Sequence, residues 1–283
     1  MLEEILFGKL ALPGELIRIL IAVIGTSIAA YYDVFNKKNV PDIMLYAFLG
    51  LAFVVNLVFY DPNIFLFSIV TALFFGAIGY VFYRLGQLGG ADVFVIVSLM
   101  LLLPITPSMS NLPFNLPFIF PVLIFSGVLF ATYVILYFGW KLTQNEVKAK
   151  LAYALLLIPY ALFAYVYMNS FLFSPVYFIF ISVLLVASIF FMMFKESLNS
   201  LLAEELPVSQ LEPEDVAALE IMNKDQVTRY KIPRVLTQSE IDRLKATNVG
   251  EIWVYTKLPP FLPFILAGVI IALFFTNTLI LLP

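Results

Sequence analysis

Two aspartates stand at the rims of long apolar runs: Asp33 closes LIRILIAVIGTSIAAYY, and Asp92 follows the glycine-rich GQLGGA. An ionisable side chain at the edge of a membrane span is costly, so its default reading is functional. Two such carboxylates in one chain suggest a pair that shares a proton, the chemistry of an aspartic protease. The chain contains no Cys and no His. That excludes a thiol nucleophile, a Ser-His triad, an HExxH zinc site and any disulfide. No metal or cofactor is expected, and acid–base work falls to Asp, Glu, Lys or Tyr.

The elements that must position the pair are membrane spans. Of 283 residues 62% are hydrophobic and 12% charged, with a mean hydropathy of +0.99; soluble domains carry about 25% charged residues. Spans need roughly 20 apolar residues to cross a hydrocarbon core of about 30 Å. Eight runs qualify in whole or in part: Leu16–Tyr32, Ile43–Tyr60, Ile64–Tyr83, Asp92–Pro104, Phe118–Gly139, Leu151–Met168, Val176–Phe194 and Phe261–Leu282. The fourth is short, which suits a tilted or protein-buried helix, and Pro159 inside the sixth suggests a kink or re-entrance. The expected fold is an all-α polytopic membrane protein with six to eight transmembrane helices and a small cytoplasmic α-rich insert. Residues 1–194 form the membrane domain bearing the aspartates, 195–258 the insert, and 259–283 the last transmembrane helix. The acidic start of MLEEILFGKL argues against a signal peptide.

Orientation follows from Lys and Arg. With eight spans and the N-terminus outside, the inner segments 33–42, 84–91, 140–150 and 195–260 hold 14 of the 16 basic residues, Lys37 and Lys38 among them. The loops 61–63, 105–117 and 169–175 hold none. Asp33 and Asp92 therefore both face the cytoplasmic border.

Residues 195–258 carry 19 of the 35 charged residues, so this insert is excluded from lipid. EPEDVAALEIM reads as a helix opened by Pro213, and Thr237 with Glu240 forms a capping-box spacing ahead of IDRLKA. From Glu196 to Glu220 all seven charges are negative. A solvated face explains them, or else an acidic collar that attracts a basic segment at the membrane surface.

At the C-terminal end of its span Asp33 meets the negative end of a helix dipole, whereas Asp92 opens a span, where negative charge is favoured. The asymmetry makes Asp92 the expected base for water and Asp33 the holder of the shared proton. Asp42, after Pro41, fits a helix cap. Gly86, Gly89 and Gly90 permit close backbone approach just ahead of Asp92.

The combination Asp33, Lys37, Lys38 and Asp42 at the end of the first span resembles the first signature of type IV prepilin peptidases, and GGAD at 89–92 resembles their GxGD signature. The tail EIWVYTKLPPFLPFILAG from Glu251 is similar to the stretch before the last span of archaeal preflagellin peptidases. This resemblance implies a membrane aspartic endopeptidase that removes class III leader peptides from archaellin and type IV pilin precursors at the cytoplasmic face. It implies Asp33 and Asp92 as the catalytic pair, supported by Gly89 and Gly90. Ala91 stands at the third motif position, and Phe94 replaces the Lys often found two residues after the second Asp. Without cysteine, peptidase activity alone is expected, with no N-methyltransferase. The expected partners are precursor leader peptides and the lipid bilayer, not nucleic acid. Two other readings compete. Tyr32-Asp33 and GxGD also fit a presenilin or signal-peptide-peptidase type of protease, although that group carries its pair late and on adjacent spans. A transporter with edge aspartates is the other rival.

Overall fold

The structure, a computed structural model, describes residues 12–36, 40–110, 116–144, 147–247 and 249–280. Lys37 and Lys38 lie outside the described residues. Among the described residues eight apolar helices run back and forth: α1 (Glu15–Phe35), α2 (Asp42–Val58), α3 (Pro62–Arg84), α4 (Gly90–Leu102), α5 (Ile119–Thr143), α6 (Leu157–Met168), α7 (Pro175–Leu202) and, after the insert, α10 (Leu262–Ile280). Among the described residues, five segments are long and apolar enough to cross a membrane: α1, α3, α5, α7 and the continuous Leu151–Met168. The chain is an all-α polytopic membrane protein.

Helix α4 reads as apolar all round, and such a helix belongs in an interior. Val95, Ile96, Leu99, Met100, Leu101 and Leu102 are all buried, packed among α1, α2 and α3. Its shortness is thus resolved by burial in protein. Helix α10 closes the bundle against α1 and α5. By contrast, Leu151–Met168 buries nothing and stands on the periphery. The irregularity expected at Pro159 falls just before it: Leu151–Leu156 is a 3-10 helix and α6 starts afresh at Leu157. Pro159 then occupies the first turn, where a missing N–H costs nothing.

Helix α7 continues to Leu202, past the apolar run, and leads into the insert. Two strands close its base, β1 (Ala203–Pro207) pairing antiparallel with β2 (Glu251–Tyr255) from Ala203↔Tyr255 to Pro207↔Glu251. Between them lie two short helices, α8 (Lys224–Tyr230) and α9 (Gln238–Ala246). Thr237 caps α9 as its spacing predicts, the Thr237 N–H donating to Glu240 Oε2 at 2.9 Å. Ile232, Leu236, Ile241, Leu244, Ile252 and Val254 form a core separate from the membrane bundle.

One expectation fails here. EPEDVAALEIM is not a helix; Glu214 is left-handed at φ 74°, and the chain runs through isolated bridges Val216↔Val235 and Ala217↔Val254. Its backbone groups bond across the insert, Ala217 N–H to Arg234 O (2.8 Å) and Tyr255 N–H to Val216 O (2.9 Å). Long-range pairing has overridden local helix propensity. Asp42 is a second correction. It lies inside the first turn of α2, the N-cap position belongs to Pro41, and no side-chain cap bond forms.

Candidate active site

Four pieces of backbone meet at one face of the bundle: the end of α1, the loop after α3, the start of α4 and the start of α10. Asp33 projects from the last turn of α1 and is 8% exposed; Asp92, at the third position of α4, is 7% exposed. The two carboxylates are close enough for Asp33 to act electrostatically on Asp92. The structure thus brings the two sequence-selected acids together.

Each carboxylate is fixed by a backbone donor. Asp92 Oδ2 accepts from the N–H of Gly89 at 2.9 Å, closing the first turn of its own helix. Asp33 Oδ2 accepts from the N–H of Leu262 at 3.0 Å. Leu262 is the first residue of α10, and the first N–H groups of a helix have no partner within it. Asp33 therefore meets the negative end of α1 and the positive end of α10 at once. The expected asymmetry between the two acids rested on α1 alone, and the Leu262 contact removes that basis.

The glycines act unequally. Gly89 is extended at φ −74°, so it needs no left-handed conformation. Gly86 does, at φ +68°, and a Cβ there would lie 2.9 Å from Val216 Cγ1 of the insert. At Gly90 a Cβ would lie 2.9 Å from Glu214 Oε1. Glycine is required at 86 by conformation and favoured at 90 by the approach of the insert. Ala91 packs partly buried against the bundle core.

The insert therefore rests on the loop that leads to Asp92. Tyr83 at the end of α3 donates its hydroxyl to Glu214 Oε1 at 3.4 Å. Glu214 is exposed as a residue, yet its carboxyl end is tucked against Gly90 and Tyr83. Burial of that end raises its pKa above the ordinary carboxylate range; the Tyr83 hydrogen bond opposes the shift and the charge of Asp42 adds to it. Deeper in the insert Arg234 Nη1 pairs with Glu220 Oε2 at 2.6 Å, and the Tyr255 hydroxyl donates to the same oxygen at 3.1 Å. Burial would raise Glu220, but the bonds from Arg234 and Tyr255 outweigh it and hold the carboxyl below its usual value. Burial, reinforced by Glu220, pushes Tyr255 up to about 12.

Two polar residues that motif spacing does not select, Arg18 and Asn56, are buried at the opposite end of α4. Their signal was present in the sequence, since a charged residue within an apolar span is itself a pointer. Leu262 and Glu214 left no such mark, because their contacts join distant parts of the chain.

No curated protein and no solved structure matches the chain. Residues 20–138 match the model of the type IV leader peptidase family, a segment that contains both aspartates and the intervening glycines. This match supports assignment of the chain to the type IV leader peptidase family, the prepilin and preflagellin peptidases.

Proposed function

We propose that the chain is an aspartic endopeptidase in which Asp33 and Asp92 act as one catalytic unit. The observation that carries this reading is the convergence of two buried carboxylates, from different helices, at one face of a membrane bundle. A single proton held between the two lets one carboxylate take a proton from water while the other donates to the peptide carbonyl. Water adds to the carbonyl carbon. As the tetrahedral adduct collapses its C–N bond breaks, the leaving amine receives the proton that the first carboxylate gained, and a hydroxyl of the adduct returns a proton to the second carboxylate. Each acid has its own backbone donor, and the reading assigns no fixed division of roles between them.

The substrate reading is a precursor of archaellin or type IV pilin type, cut where a short basic leader gives way to an apolar helix. Basic residues concentrate on the segments flanking the pair, which argues for the cytoplasmic face. A junction between charge and lipid lies at that level, and water is available there. Gly89, exposed and without a side chain, leaves backbone accessible beside Asp92.

A processing assay decides the matter. Asp33→Asn and Asp92→Asn are each expected to slow precursor cleavage by about 10²–10⁴-fold, the range of a lost acid–base group, with the precursor accumulating at full length. Retained cleavage in either variant rejects the pair. If transport or stability changes while processing continues, the transporter reading takes its place.

A further inference from the structure

We propose that Arg18, together with Asn56, is a positioning residue that sets the axial level of α4 and so holds Asp92 beside Asp33. This rests on the reading of that pair as catalytic. Arg18 is completely buried in α1. Its Nε donates to Pro13 O at 2.8 Å, and its Nη1 to Asn56 Oδ1 at 2.9 Å, Leu102 O at 3.1 Å and Leu101 O at 3.4 Å. Asn56 of α2 in turn donates Nδ2 to Leu101 O at 2.7 Å and to Ala52 O at 3.1 Å.

The need for this arrangement follows from the length of α4. Thirteen residues rise about 20 Å, short of a hydrocarbon core of about 30 Å. The helix that begins at the Asp92 face therefore ends before the other surface. The last carbonyls of a helix lack internal partners, and within a bilayer they must find protein donors. Leu99 O is satisfied by the Leu103 N–H at 2.7 Å; Leu101 and Leu102 are satisfied by Arg18 and Asn56. A guanidinium suits the place, being permanently charged, forked and opposite the negative end of the helix. Glu15, one turn earlier on α1, adds a tie by accepting from the Ser108 hydroxyl at 2.6 Å.

Packing alone does not account for the residue. An apolar side chain of similar volume fills a buried site without the desolvation of a cation, and Nη2 of Arg18 remains without a hydrogen-bond partner among the described residues. What the apolar substitute lacks is directional hold on two carbonyls. Helix α1 thus grips α4 at one end and presents Asp33 to it at the other. A slip of α4 by a single residue moves Asp92 by about 1.5 Å, and misplacement by about 1 Å can cost 10²-fold in rate.

Because the chain lacks cysteine, the register can be read directly in the full-length protein in membranes. Asp33→Cys/Asp92→Cys is crosslinked with a short bis-maleimide, and Glu205→Cys/Trp253→Cys, facing pairs of β1 and β2, reports folding of the insert. In an Arg18→Gln background the first crosslink is expected to fall about tenfold while the second is unchanged; Arg18→Lys, which keeps the charge without the fork, falls between. In the chain with native aspartates, Arg18→Gln lowers kcat for a precursor with a basic leader by about 100-fold, KM changes less than twofold, and Arg18→Lys restores part of the loss. An unchanged first crosslink, or a parallel fall of both, overturns the positioning role. Failure of the catalytic reading looks different: Asp33→Asn and Asp92→Asn then cleave normally whatever the crosslinks do.

Discussion

Asp33 and Asp92 each accept a hydrogen bond from a backbone N–H. Gly89 and Leu262 each supply one N–H, which orients the two carboxylates. The supporting glycines separate by the same residue-level logic. Gly86→Ala forces a left-handed alanine, at about 1–2 kcal/mol, and drives its methyl toward Val216 and Arg234. Gly90→Ala meets only the flexible end of Glu214, and a shift of that carboxylate costs about 0.5 kcal/mol or less. Thermal unfolding in detergent, followed by the fluorescence of Trp140 and Trp253, is expected to place Gly86→Ala clearly below the unmodified protein and Gly90→Ala close to it. Equal losses would contradict the contacts described.

Among the elements, the segment from Leu211 to Met222 joins the insert to the loop ahead of Asp92, and its Glu214 and Glu220 are shifted in opposite senses. Glu214 is raised by burial, so the stability it lends is present below its ordinary carboxylate value and is lost as pH rises through the raised one. Glu220 is depressed by Arg234 and Tyr255, so its contribution is present above the ordinary value and is lost as pH falls through the depressed one. Glu214→Gln is therefore expected to raise the melting temperature at neutral pH and leave it unchanged in acid. Glu220→Gln is expected to lower it at neutral pH, with the difference shrinking in acid. Melting curves across that range check both signs, and a common direction for the two variants would refute the assignment.

At the level of the whole molecule, the helix ends at Asp33, Arg84, Gly90, Leu202 and Leu262 gather on the face that carries the insert, as shown by the Asp33–Leu262 bond and the approach of Val216 to Gly86. The loop at Phe171, a residue 97% exposed, belongs to the other face. With no native cysteine, Lys245→Cys and Asn169→Cys give single labelling sites. A membrane-impermeant maleimide applied to intact cells is expected to modify Asn169→Cys at once and Lys245→Cys only after permeabilisation. The reverse pattern would put the carboxylates on the outer face and end the cytoplasmic reading.

The sequence by itself determined the all-α class and the order of the apolar runs, and it singled out both acids. A bilayer demands long apolar runs, and the period of that demand is written locally; even the protein-buried α4 could be read from its shortness. Asp33 and Asp92 were legible because charge at a membrane rim is conspicuous against so apolar a chain. Tertiary structure alone decided the remainder: that Asp33 also faces the start of α10, that Arg18 and Asn56 seize the end of α4, and that the stretch around Glu214 is extended rather than helical. Each of these is a backbone hydrogen bond satisfied by a partner far along the chain. Local propensity and hydropathy hold no information about which distant group will answer an orphaned N–H or carbonyl.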